Sequence, residues 1–248
     1  MKKEKAVALW KSLFWGICML LFPILSGTLS VVFDLETIET LFLQGSVMLL
    51  SLIIPLFFIL VKKWRWNEIG FAKIDINGFK RAMYFLPLLA IFIPAAAKGF
   101  FIRSAAYALG NLFLYLAVGI AEEVYFRGIV PKYLNEAFSW KGVILFSSVI
   151  FGIGHIASAF TTNNGLEICL TVLNAVIFGW LAMEMTMICN TILPGMLLHF
   201  LFDYETKIVV MHGNELLIAE CIRGTVMVIA AVWLAFILVR LKSEKTVQ

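Results

Sequence analysis

Apolar stretches long enough to cross a bilayer recur along the whole chain, and no other feature restricts its fold so strongly. A helix needs about 20 predominantly apolar residues to span the hydrocarbon core. Eight stretches qualify as spans: Ser12–Phe33, Leu41–Val61, Ala82–Ala97, Ser104–Phe126, Gly142–Ala159, Leu166–Met187, Thr191–Tyr204 and Ile222–Leu241, the third and seventh being short. Of the 248 residues, 62% are hydrophobic and 15% charged, with a mean hydropathy of +0.95. A soluble domain has about half its residues apolar and about a quarter charged. The expected fold is an all-α polytopic membrane helix bundle of about eight transmembrane helices, one domain over residues 1–248 with no room for a large soluble unit. Pro23, Pro55, Pro87 and Pro94 fall inside spans, where neighbouring helices can re-satisfy the carbonyls they free. The opening MKKEK resembles the start of a signal peptide, but the apolar run after it is long enough to span and no A-x-A site follows. It reads as a retained first helix.

Basic residues set the orientation, because cytoplasmic loops carry an excess of Lys and Arg. With the N-terminus inside, the inner side holds Lys2, Lys3, Lys5 and Lys11, then Lys62, Lys63, Arg65, Lys73, Lys80 and Arg81. Arg127, Lys132 and Lys141 follow, and Arg240, Lys242 and Lys245 close the chain. The outer side holds Lys98, Arg103, Lys207 and Arg223, and its first loop is acidic, with Asp34, Glu36 and Glu39. Both termini are therefore expected on the cytoplasmic face of a cell membrane. The net charge of +4 is explained by this orientation and points to no nucleic-acid partner. The segment from Trp64 to Arg81 mixes aromatic and charged residues; it reads as lying along the inner surface, with a plain loop as the alternative. Cys18, Cys169, Cys189 and Cys221 lie in or beside apolar runs without a C-x-x-C, the pattern of apolar packing residues rather than of disulfides or a metal cluster.

Charge inside such a chain is costly, so each ionisable residue there is a candidate for function. The stretch Gly119–Gly128 follows an uncharged run and brings Glu122, Glu123 and Arg127 together. On a helix Glu123 and Arg127 are i,i+4 neighbours and can pair. Glu122 lies about 100° further round and is the carboxylate left for chemistry; the alternative is that all three mark a solvated helix end. His155 and His199 also sit in spans. Gly152 and Gly154 precede His155 and allow close helix approach, while Gly195, His199 and Asp203 recur every four residues along one face. A lone histidine in a span is ordinarily a hydrogen-bonding residue between helices, but four costly groups are explained together by one shared polar site. In an antiparallel hairpin turning near Ser139–Trp140, Glu122 and His155 stand level, which with His199 puts the site in the cytoplasmic half, between helices four, five and seven. His212, in an outer loop, is assigned no role, and Glu167 and Glu184 are explained by solvated span ends.

These motifs resemble those of the CPBP family of intramembrane proteases, which includes CAAX prenyl endopeptidases and bacterial proteins tied to bacteriocin self-immunity. The family pattern is E-E-x-x-x-R, F-x-x-x-H and H-x-x-x-N/D. It is matched here by Glu122-Glu123 to Arg127, Phe151 to His155 and His199 to Asp203. The motif-bearing core covers about 104–205, and the first hundred residues match only as apolar spans. The resemblance implies an eight-span helical fold and peptide-bond hydrolysis within the membrane. It implies Glu122 as the base that activates water, His155 as its partner, and His199 and residue 203 as oxyanion-stabilising groups, with Glu123 and Arg127 completing the catalytic set. The family is also classed among metalloproteases, so Zn2+ held by His155, His199 and Asp203 is a second possibility; a metal-free glutamate mechanism is preferred. Asp203 stands where many members have Asn, and an ionised Asp cannot donate to an oxyanion.

The residues agree with such chemistry. Amide hydrolysis needs activated water, a base and stabilisation of developing negative charge. Two histidines with carboxylates could also hold zinc with one open position. The expected partners are the lipid bilayer and a membrane-associated peptide or protein. Two other functions remain open: a non-catalytic relative acting as an immunity or binding protein, and a proton-coupled transporter, since buried Glu and His also build proton relays. No paired halves with matching broken helices are visible to favour the transporter.

Overall fold

The computed structural model describes residues 2–73, 76–160, 164–209, 211 and 213–246. Among them, eight long helical segments follow in order: α1 Lys2–Val32, α2 Thr37–Lys62, α3 Ile76–Lys98, α4 Ala105–Leu134, α5 Trp140–Ala157, α6 Gly165–Cys189, α7 Leu193–Ile208 and α8 Asn214–Thr246. All but α7 are long and apolar enough to cross a membrane, so the protein is a multi-pass, all-α membrane protein. The 16 residues of α7 cover about 24 Å, short of the roughly 30 Å of a hydrocarbon core. Pairing between extended segments among the described residues is one isolated antiparallel bridge, Phe100 with Val209.

The bundle is ordered by a few close contacts. α4 runs between α2 and α7; α6 runs between α5 and α8, and also packs on α7. α1 covers α2, α5 and the end of α4, while α3 lies on α8. A Cβ on Gly152 of α5 would stand 2.2 Å from Val176 Cγ2 and 3.0 Å from the Val176 backbone nitrogen. One on Gly119 of α4 would meet backbone atoms of Met196 and Phe200 in α7 at 3.1 Å. The glycines therefore let the helices that carry the motifs approach backbone to backbone, as small residues do in membrane interfaces.

Proline acts in the same economical way. Pro55 cannot donate to the carbonyl four residues back, and α2 breaks at Leu52. The carbonyl so freed, Ser51 O, accepts a 2.8 Å hydrogen bond from the buried hydroxyl of Tyr125 in α4.

The segment between α2 and α3 is anchored to the bundle by one buried side chain and one backbone hydrogen bond. It makes one 3-10 turn, Trp66–Ile69, then tucks beneath the bundle: Ile69 is buried, and Gly70 O accepts from Ile192 N at 2.9 Å. Gly70 has φ +85°, and a Cβ there would lie 2.5 Å from Ile192 Cγ2, so only glycine fits both the turn and the contact. Ile76–Arg81 already belongs to α3, while Ile74 and Asp75 lie outside the described residues.

Three further readings change. α8 starts at Asn214, eight residues before the expected span, and its Arg223 is fully buried within the helix, not in an outer loop. Arg127 is likewise buried; taking both out of the loop count leaves the inner excess of basic residues intact. Glu184 is no solvated end: it is 1% exposed inside α6 and accepts a hydrogen bond from Trp180 Nε1 at 2.9 Å. The cysteines are free, but Cys169 and Cys221 are on the bundle's exterior rather than in its core.

Candidate active site

The α4 motif sits where the helix changes its winding. α-Helical geometry ends at Glu123, and Val124–Ile129 forms a π-helical stretch, every residue of which is buried. Such stretches are rare and concentrate at functional sites. Arg127 nevertheless reaches back to Glu123, with Nη1 2.9 Å from Oε1 and both side chains sealed from solvent. The contact is an ion pair by distance without hydrogen-bond alignment at Nη1. The guanidinium also lies over two rings, 4.2 Å from the centre of Phe151 and 5.6 Å from that of Phe178, an arrangement in which the ring face attracts the cation.

His199 of α7 ties this pair to the other carboxylates. Its Nδ1 is 3.0 Å from Glu123 Oε1, so with Nδ1 protonated the ring donates to Glu123 and Nε2 is left facing the site. Nε2 is 3.7 Å from Glu122 Oε2 and 3.6 Å from Asp203 Oδ2, spacings too long for direct hydrogen bonds and short enough for a bridging oxygen. Glu123 is thus engaged twice at Oε1, whereas Glu122 Oε2, like Glu123 Oε2, is buried without a protein hydrogen-bond partner. A Cβ on Gly195, one turn before His199, would come within 3.0 Å of Glu123 Oε2, so the absence of a side chain there leaves room for the carboxylate.

His155 closes α5. Its Nδ1 is 3.1 Å from Phe151 O, which fixes the ring and turns Nε2 outward. Among the described residues no hydrogen bond or ion pair joins His155 to Glu122; His155 borders a space that His199 and Asp203 also line, and Glu122 lies behind His199, 3.7 Å from its Nε2. That space is a cavity of about 270 Å³ with His155, His199 and Asp203 in its wall, together with Phe151 and Phe178. It widens between α6, α7 and the first turns of α8.

All six residues named from the sequence therefore fall in one region: Glu122, Glu123, Arg127, His199 and Asp203 around one imidazole, and His155 along the same cavity. Sequence reasoning missed Phe178, whose ring lies 4.9 Å from that of His199; an aromatic in an apolar span carries no local signal of such a role. His212 lies outside the described residues. Among the described residues no three His, Cys, Asp or Glu side chains converge as a metal-binding set, so the trio His155, His199 and Asp203 does not fit zinc as it stands.

The profile of the Rce1-like type II CAAX prenyl endopeptidase family matches residues 2–204. The chain belongs to this family. The match begins in α1 at residue 2, well before the first motif at Glu122, and ends just past Asp203. Membership makes the protein a relative of CAAX-type intramembrane endopeptidases. No curated protein matches the chain.

Proposed function

We propose that the protein is an intramembrane endopeptidase that hydrolyses a peptide bond in a membrane-associated protein or peptide, with Glu122 as general base. The reading rests on the division of labour between adjacent carboxylates: Glu123 Oε1 is held by Arg127 and His199, whereas Glu122 Oε2 has no hydrogen-bond partner and stands 3.7 Å from His199 Nε2. Glu122 takes a proton from water as the oxygen attacks the scissile carbonyl, then delivers it to the departing nitrogen; one carboxylate serves both steps. The gap bounded by His199 Nε2 and Asp203 Oδ2 receives the carbonyl oxygen as it gains charge. A protonated His199 donates there from Nε2, and a protonated Asp203 donates likewise. Glu123 and Arg127 hold the imidazole in orientation, as buried partners of catalytic histidines do. His155 Nε2 borders the same cavity and orients water or substrate.

The basic bias supports an orientation with both termini on the cytoplasmic side, and the membrane proposed is the cell membrane. The substrate is membrane-associated because the residues open into a cavity inside an apolar bundle; prenylated and unmodified peptides are both to be tried. Glu122→Gln removes the proton acceptor at nearly constant shape, so purified protein should fold and lose hydrolysis. Full activity in that variant removes Glu122 from the mechanism. Comparing the proteomes of cells carrying the parent and Glu122→Ala identifies the substrate through the precursor that accumulates.

A further inference from the structure

Beside the motif residues, the cavity has further polar lining on α6 and α8. Glu220 of α8 lines it, with its side chain 24% exposed. Both of its oxygens are held: Oε1 accepts from Arg223 Nη1 at 2.6 Å and Oε2 from Asn174 Nδ2 of α6 at 2.9 Å. The same Asn174 nitrogen lies 3.1 Å from Glu220 O. Arg223 itself is sealed behind the wall, 0% exposed, and its Nη2 donates to both oxygens of Glu205 in α7, at 2.7 Å to Oε1. One guanidinium thus faces two carboxylates, and the network keeps one net negative charge. Of the two acids, Glu205 is buried out of the cavity and Glu220 stands in it. Lys207 is the one Lys or Arg among the lining residues; it is exposed, with its ammonium 5.8 Å from the ring centre of Tyr115 on α4.

A fixed, half-buried carboxylate with surplus charge selects a cation, because its hydrogen-bond donors pre-set its position and the low dielectric strengthens what it attracts. We propose that Glu220 is a specificity-determining residue, making the cavity prefer peptides that carry a Lys or Arg side chain within a few residues of the scissile bond. This rests on reading the cavity as the substrate cleft of an endopeptidase. The cationic residue's stem lies along Leu170, Leu216 and Leu217, as long basic side chains bury their methylenes against apolar surface.

The test uses the full chain in detergent and a set of fluorogenic peptides differing at one position, walked along the sequence, where Lys, norleucine or Glu is placed. Two ratios are measured: kcat/KM for the Lys over the norleucine peptide with active protein, and the corresponding ratio of Kd values with Glu122→Gln protein. At the best position the parent is expected to favour Lys by about tenfold, a modest share of a partly screened charge pair. Glu220→Gln should bring the ratio towards one. Lys207→Gln, a change at an exposed position that leaves the buried network intact, should raise it. Cleavage with no preference for Lys at any position, or a Lys207→Gln ratio that falls, overturns the inference and leaves the endopeptidase reading standing. A Lys preference in binding without cleavage by the parent supports the inference and sinks that reading. Neither preference nor cleavage sinks both.

Discussion

Arg127→Ala should cost the protein more in stability than any other single change in the α4 motif. The side chain removed is sealed, and its partner Glu123 is 0% exposed. Breaking a buried ion pair by deleting one member costs about 3–5 kcal/mol, because the other charge is left uncompensated. Loss of the stacked contact with Phe151, 4.2 Å away, adds about 1 kcal/mol. His199 still contacts Glu123 Oε1, which keeps the total near the lower bound, about 4 kcal/mol. Out of the roughly 5–15 kcal/mol that holds a typical domain folded, that is a large share. At about 2–4 °C per kcal/mol for a chain of this size, the midpoint should fall by about 10 °C. The measurement is thermal unfolding in detergent, read with a thiol-reactive dye at the free, buried Cys189 in a background where Cys18, Cys169 and Cys221 are replaced by Ser. Arg127→Lys should recover part of the loss, since it restores the charge and not the planar fork. The Glu123→Gln/Arg127→Ala double variant should be more stable than Arg127→Ala alone, because the stranded charge is gone. A single variant as stable as the parent, or a double variant no better than the single, refutes the electrostatic account.

A reporter fused after Lys242 should read cytoplasmic, as the basic bias requires; an external signal defeats the orientation. Gly119→Ala places a Cβ 3.1 Å from the α7 backbone and should destabilise by about 1–3 kcal/mol, the usual range for overpacking, while Gly165→Ala, which meets nothing within 4 Å, should be close to neutral; equal effects discount the close approach of α4 and α7. Asp203→Asn should keep or raise hydrolysis if the residue donates a hydrogen bond near the reacting carbonyl, because Asn carries an N–H. Stoichiometric zinc in the purified parent, lost together with activity in Asp203→Asn, reverses that assignment in favour of a ligand.

The helices were legible because their signal is local. A run of apolar residues long enough to span announces itself wherever it occurs, and the order of α1 to α8 follows it. The ends were less legible wherever polarity was read as exposure. Glu215, Glu220 and Arg223 look like an outer loop before an apolar run, yet they form the first turns of α8. What accompanies the burial of Arg223 is Glu205, 18 residues earlier on another helix, and no local pattern carries that pairing. Glu184 was misjudged because its burial comes from the helices packed on α6, although its partner, the Trp180 indole, is one turn before it.

The site divides along the same line, and the division explains the chemistry. Glu123 and Arg127 were legible as a pair because four residues on a helix fix their separation, even through the π-helical stretch. That the pair also grips His199, 76 residues away, was not. This long-range contact is what turns two adjacent, chemically identical carboxylates into different groups. Once Arg127 and His199 Nδ1 occupy Glu123, the other imidazole nitrogen faces Glu122 and Asp203 across gaps of 3.7 and 3.6 Å. A one-residue offset around α4 therefore separates the carboxylate that orients from the carboxylate available to react. The approach of α7 that makes this possible depends on Gly119 and Gly195, two positions where what matters is the side chain that is missing.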